Sequence, residues 1–269
     1  MQELVSVICT VKNGEKTIKN TIQSVLNQTY SNFEFIIIDD NSSDSTPDIL
    51  NWFQTRDSRI KVYRFEKLGR ANALNKAISL SNGKYIANID ADDLFHQKKI
   101  QIQEELMSNL HNTFLICSES EIIYDDDFPQ WEKEKDWNFN KEKITSKILV
   151  KNYISHITVF MDKQKLEDIG GYSIAQKTQV DYELWLRAFT EDENMYYYNQ
   201  YLSAKRIHNN QSFENKKRVK YTYNSMILQM RYILKNPKYL YYLPIPFVSF
   251  IFGQLPFGVR RRIHKFLFK

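Results

Sequence analysis

Five aspartates fall into two short groups, each closing an apolar run. Asp39 and Asp40 end "FEFIIIDD", and Asp90, Asp92 and Asp93 lie in "YIANIDADD". Carboxylates this close repel one another, and gathering two such groups in a partly desolvated crevice is unfavourable unless a cation or hydrogen-bond donors answer them. A divalent metal supplies that charge. With oxygen ligands and no cysteine among them, the expected ion is a hard one, Mn²⁺ or Mg²⁺, held by one or two carboxylates and substrate phosphates. The intervening "DDNSSDSTPD" also carries ordinary helix-start chemistry: Ser45 or Thr46 caps a helix opening at Pro47, which accounts for Asp44 to Asp48 without a ligand.

For the two acidic groups to meet, the elements bearing them must share a sheet edge. Runs rich in Ile, Val, Phe and Tyr at 4–11, 33–39, 60–65, 84–90 and 114–120 read as strands. Between them, Ile18, Ile22, Val25 and Leu26, then Ile49 and Phe53, then Ala73, Ala77 and Leu80, then Ile100, Ile102 and Leu106 recur at helical spacing. Alternating apolar strands and helices imply a mostly parallel sheet covered on both faces, with ligands collecting at the carboxyl ends of its strands. Both acidic groups then reach one edge.

The chain has 269 residues, enough for one sizeable core or a core with an appended subdomain. Lys and Arg exceed Asp and Glu by 37 to 32, and much of the excess follows residue 200. A basic tail beside apolar residues points to an anionic membrane surface and away from nucleic acid. "MQELVSVICTVKNGEK" lacks the pattern of a secretory signal, so the body is expected in the cytoplasm. Cys9 and Cys117, each inside an apolar strand, read as buried reduced thiols. Residues 239–259 carry no charge and precede "RRRIHKFLFK". Pro244, Pro246 and Pro256 interrupt a helix there, and the positive-inside bias opposes a span. The expected role is therefore an interfacial segment on the inner face of the cell membrane.

The motifs together resemble the inverting nucleotide-sugar glycosyltransferases of family 2, which have the GT-A fold. The resemblance runs from "VSVICTVKNGEKTIKNTIQSVLNQTYSNFEFIIIDDNSSDST" through "GRANALNKAISLSNGKYIANIDADD" to "GGYSIAQKTQVDYELWLRA" and "KRIHNNQSF", about residues 4 to 213. It implies that Asp39 receives the base of a nucleoside diphosphate sugar, usually uracil, in a pocket lined by backbone around Thr10 and Val11. Asp90 and Asp92 match the family's Asp-x-Asp element, the first acid near the ribose and the second holding the metal on the diphosphate. Asp181 falls at the position of the catalytic base, which takes the acceptor hydroxyl's proton as its oxygen attacks the anomeric carbon. His208 sits where the family places a histidine near metal and diphosphate, and His156 at another recurrent position, a possible acceptor-site residue. Gly69, before a helix starting near Arg70, could let backbone approach the ligand.

The chain departs from the family pattern at Thr10 and Lys12, at Val180, and at Leu74, where many relatives have an arginine; Arg70 or Lys67 could replace that contact. The implied division is a catalytic domain over 1–215, with a nucleotide-sugar half (1–120) and an acceptor half (121–215), then a membrane-associating helical region over 216–269. The implied acceptor is a glycan or lipid-linked glycan of cell-surface polysaccharide synthesis. Two other classes share part of the pattern. A nucleotidyltransferase would need a glycine-rich basic loop, which "TVKNGEK" matches poorly. A receiver-like binding module would need a further acid after the first strand, where Cys9, Thr10 and Val11 stand.

Overall fold

The computed structural model describes residues 2–125, 127–131, 140–207 and 218–255. Its chain divides into two compact units, one of residues 1–144 and 153–208, the other of 145–152 and 209–269. The first unit is built on one mixed sheet. Strands β1 (Val5–Val11), β2 (Phe33–Asp40), β3 (Ile60–Phe65) and β4 (Tyr85–Asp90) are mutually parallel in the order β3-β2-β1-β4. They are joined by helices α1 (Ile18–Leu26), α2 (Thr46–Gln54) and α3 (Arg70–Leu80). The short β5 (Leu94–Phe95) follows the acidic turn, then helix α4 (Lys99–Ser108) and the long β6 (Thr113–Tyr124).

Beyond β4 the sheet departs from the parallel pattern. The short β8 (Phe160–Asp162) inserts antiparallel between β4 and β6, and β6 pairs in parallel with β9 (Asn194–Ile207). β5 and β7 (Lys141–Lys143) both pair antiparallel with β9. β8 is too short for its side chains to show a period, so it left little trace in the sequence. Helices α5 (Lys163–Asp168) and α6 (Val180–Thr190) stand between β8 and β9.

Strand parity assigns residues to the two faces. Val5, Val7, Cys9 and Val11 of β1 join Phe35 and Ile37 of β2 and Ala87 and Ile89 of β4 in a core with Ile18, Ile22 and Val25 of α1 and Ile100 of α4. The alternate residues Ile8, Ile36, Ile38 and Ile86 are also buried, on the face where Ala73, Leu74 and Ala77 of α3 pack. Leu74 is therefore an apolar core residue. Both cysteines are free and buried.

In the second unit, α7 (Arg218–Lys235) packs against α8 (Pro244–Gln254), which opens at Pro244 with Pro246 in its first turn. The prolines thus start this helix, where a missing N–H is tolerated. Among the described residues no helix is long and apolar enough to cross a membrane. The basic run Arg260–Arg262 and Pro256 lie outside the described residues.

Candidate active site

The register sets the first part of the site. Val11 pairs with Asp39, and Thr10 pairs with both Ile38 and Asp90, so the ends of β1, β2 and β4 lie side by side. Both acidic groups reach one edge, as the strand pattern requires. Asp39 faces the α1 side and is 1% exposed. Its Oδ1 accepts the Ser42 N–H at 2.9 Å. Its Oδ2 is buried and makes no hydrogen bond, with Arg64 Nε 3.5 Å away in an ion pair.

The walls around Asp39 are stitched by side chains. The N–H groups of Asn13, Gly14 and Glu15 donate to Ser42 Oγ, Thr46 Oγ1 and Asp44 Oδ2 at 2.9, 2.8 and 3.1 Å. In return Ser43 N–H donates to Asn13 Oδ1 and Ser45 N–H to Glu15. α2 begins at Thr46, one residue before Pro47, and Ser45 at its N-cap makes no side-chain capping bond; Asp44, Ser45 and Thr46 instead fasten the loop after β1 to the loop after β2. Asp40, on the opposite face, accepts the N–H groups of Leu68 and Gly69. Gly69 has φ +77°, with open space where a Cβ would stand, and the left-handed conformation is what calls for glycine. Its N–H goes to Asp40.

A second group gathers on the α3 face. Arg70 Nη2, at the start of α3, donates to Asp90 Oδ1 at 2.7 Å and lies 3.1 Å from His156 Nδ1. Asn88 Nδ2 donates to the same ring nitrogen at 2.9 Å, and His156 Nε2 meets the Tyr172 hydroxyl at 2.7 Å. Burial works against the charged form of Asp90, but Arg70 and His156 outweigh it and hold the carboxyl well below its ordinary range. Arg70 is pushed up in turn, first by Asp90, with Asp181 also contributing.

Asp181 occupies the first turn of α6, where the helix dipole favours a carboxylate. Its charge is felt at Arg70 and at Tyr172, whose hydroxyl pKa is raised first by burial and also by Asp181 and Asp90. Two clamps fix the approach to α6. Asn75 Nδ2 donates to Tyr172 O and Asn75 Oδ1 accepts Tyr172 N–H, both at 2.8 Å. Gly171, at φ +61°, allows this, because a Cβ there would come within 2.7 Å of Asn75 Oδ1. Arg187 pairs with Glu183 and reaches the carbonyls of Ile169 and Gly171.

The acidic turn Asp90–Asp93 is held from both sides. Thr21 Oγ1 donates to Ala91 O and Asp93 O, and Arg206 donates through Nε to Asp92 O and through its backbone N–H to Asp93 Oδ1 at 2.7 Å. Asp93 is buried, and its carboxyl is raised well above its ordinary range by that burial and by Asp90 and Asp92. Asp92 is only partly buried. Among the described residues no group of three or more His, Cys, Asp or Glu is arranged to hold an ion. Asp92 is a partly buried oxygen donor of the kind that would suit a hard cation. His208 lies outside the described residues.

Sequence reasoning missed Asn88, Tyr172 and the scaffolding roles of Asp40 and Asp93. A carboxamide inside the otherwise apolar "YIANID" was the one available signal.

Comparison with known proteins bears on this arrangement. Residues 6–170 match the model described as glycosyl transferase family 2. A Bacillus subtilis protein named as a teichuronic acid biosynthesis glycosyltransferase, TuaG, is 33% identical over 79% of this chain and 82% of its own. The Escherichia coli UDP-Glc:alpha-D-GlcNAc-diphosphoundecaprenol beta-1,3-glucosyltransferase WfgD is 34% identical over 71% of this chain and 72% of its own. Among solved structures, S. aureus TarS bound to UDP-GlcNAc superposes with a TM-score of 0.67 at 18% identity, covering 86% of this chain and 66% of that one. That likeness speaks to the fold.

Proposed function

Since the chain belongs to glycosyl transferase family 2, we propose that it transfers a sugar from a UDP-sugar to a hydroxyl of a glycan or lipid-linked glycan acceptor, with inversion and with a divalent metal. The observation that carries the donor assignment is Asp39 Oδ2, a buried carboxylate oxygen without a hydrogen bond at the carboxyl end of β2. Arg64 meets it only as an ion pair at 3.5 Å, and a buried acceptor left without a hydrogen bond is unfavourable by ~1–3 kcal/mol. A pyrimidine base that donates its ring N–H there would answer it, beside the Thr10 and Val11 backbone. The names of WfgD and of the TarS complex, with UDP-Glc and UDP-GlcNAc, support uracil as the base.

Asp90, held ionised by Arg70, stands where it can accept from ribose hydroxyls. When bound, Mn²⁺ or Mg²⁺ at Asp92 supplies positive charge against the departing diphosphate. Arg70, at the start of α3 beside Asp90, is a cation that could meet the diphosphate where Leu74 offers none. Asp181 accepts the proton of the acceptor hydroxyl as its oxygen attacks. His156 and Tyr172 hold the floor between them. Calorimetry of UDP with and without Mn²⁺, followed by a screen of UDP-sugars for hydrolysis, tests this reading, and a failure of UDP to bind rejects it.

The second unit is proposed to rest on the inner face of the membrane. α8 has no charged residue, and Ile245, Phe247, Val248 and Ile251 are exposed along it. Anionic lipid would meet both that face and the basic run that follows in sequence. Sedimentation with anionic vesicles should carry down the full chain, and Phe247→Glu with Ile251→Glu should leave it in the supernatant. Equal sedimentation of both proteins rejects this placement.

A further inference from the structure

A cleft of about 400 Å³ lies on the α1 face, away from the group around His156. One wall is the outer side of α1, with Asn20, Gln23 and Asn27 exposed. Another is the segment Leu94–Gln97, fastened along α1 by the Phe95 N–H to Ser24 Oγ at 3.1 Å and by Gln28 Nε2 to His96 O at 2.7 Å. Phe128, Pro129 and Trp131 complete it, with the Trp131 ring set edge-on to His96 at 4.9 Å.

Its size falls in the ~300–1,000 Å³ range of small-molecule sites. No carboxylate, ammonium or guanidinium is among the described residues that line it. Among these described residues a phosphate, nucleotide or acidic sugar would find no countercharge to repay its lost hydration. The lining instead joins carboxamides, each offering a donor and an acceptor on one group, to flat rings. Vicinal hydroxyls match the first, and the C–H face of a pyranose matches the second.

The two faces of the sheet separate this cleft from the transfer site. Phe95 belongs to the core shared with Val7, Val11 and Ile22, whereas Asn88 and Asp90 point toward Arg70 and His156 on the α3 side. Yet the segment bearing Phe95 and His96 continues directly from the Asp90–Asp93 turn.

We propose that this cleft is a second saccharide-binding site, taking an uncharged mono- or disaccharide unit of the acceptor glycan, an inference that rests on the glycan-acceptor reading above. A glycan held there stays near the transfer site between encounters, which raises its effective concentration without any new contact at the reacting hydroxyl.

The test is saturation-transfer NMR on the full chain with UDP present, using methyl β-D-glucopyranoside, the disaccharide chitobiose and, for contrast, galacturonic acid. The expected result is transfer to the ring protons of a neutral sugar. Affinity should fall ~10-fold in Gln23→Ala and in Trp131→Ala, as loss of one polar contact or one stacking surface predicts. UDP affinity by calorimetry should be unchanged in both. Gln23 is exposed on α1, so its variant keeps the test decisive if Trp131→Ala fails to fold. No binding of either neutral sugar, equal binding to wild type and Gln23→Ala, or galacturonic acid bound as tightly as glucoside would each overturn the proposal. If UDP does not bind wild type while a neutral sugar binds and responds to Gln23→Ala, the donor reading fails and the cleft stands.

Discussion

The ends of β2 and β4 each present adjacent acids, and each divides them the same way. At β2, Asp40 is spent on the scaffold, accepting the Leu68 and Gly69 N–H groups, while Asp39 keeps an oxygen without a hydrogen bond. At β4, Asp93 is spent on the Arg206 N–H, while Asp92 stays partly exposed and Asp90 is met by Arg70. The ends differ in charge. Asp39 and Asp40 are answered by backbone N–H groups and an Arg64 ion pair, whereas after β4 burial and the crowding of Asp90 and Asp92 push Asp93 upward. Clustered acids therefore do not mark a site uniformly, since two of these five build the scaffold.

The proposed base, Asp181, lies outside both groups, which gives the largest expected effect. Asp181→Asn should lower transfer by ~10²–10⁴ while UDP affinity is retained. Measured turnover equal to wild type would return the search for a base to the acidic groups themselves. Asp92→Asn should remove the Mn²⁺-dependent part of UDP binding and leave the melting curve unchanged. Asp93→Asn should keep that metal-dependent part, and a calorimetric result with the two roles exchanged would break the division at β4.

At β2 the contrast is between binding and stability. Asp39→Asn should weaken UDP binding about 10-fold or more, since Asn can still accept from Ser42 but loses the charge facing the base. Asp40→Ala should instead lower unfolding free energy by ~1–3 kcal/mol, the effect of orphaning two backbone donors. Denaturant titration of both variants distinguishes the cases.

A buried cation behaves in the opposite sense to these acids. Lys99, on α4, is fully buried, bonded to Gln103 Oε1 at 2.6 Å and Thr158 O at 3.2 Å, and its pKa is pushed down by burial to about 7. The unfolded chain then binds more protons than the folded one between pH 7 and the ordinary lysine value, so stability should rise across that window. Lys99→Met should flatten the rise, by up to about 5 kcal/mol, in melts taken across the same pH range.

The smallest effect concerns Asp93. Its raised carboxyl contributes stability below the ordinary aspartate value, and that contribution is lost as pH rises through the higher folded-state value. Asp93→Asn keeps an acceptor for Arg206 and should be at least as stable as wild type at pH 7, by up to about 1 kcal/mol. A lower melting temperature at pH 7 would show that the charge itself is needed.

Much of this was legible in the residues. The four parallel strands and their helices follow from long apolar runs, and the shared edge of Asp39 and Asp90 follows from parallel order. What stayed hidden was contact at long separation. Nothing in the sequence states that Asn75 meets Tyr172, or that Lys99 sits in a core, because a helical pattern marks which face is inward but not which polar residue finds a partner there. The antiparallel β8 was equally silent, being three residues long.

The Asn75 clamp has a consequence for recombination. Its carboxamide holds both the N–H and the C=O of Tyr172, 97 residues away, as a neighbouring strand would hold them. Residues 1–120 and 121–215 are thus not interchangeable parts. A chimera that takes residues 121–215 from a relative must bring a small residue at 171 to match the Asn75 it keeps. Otherwise the turn before α6 loses its only seat on α3 among these contacts, and the proposed base arrives misplaced in a protein that still folds.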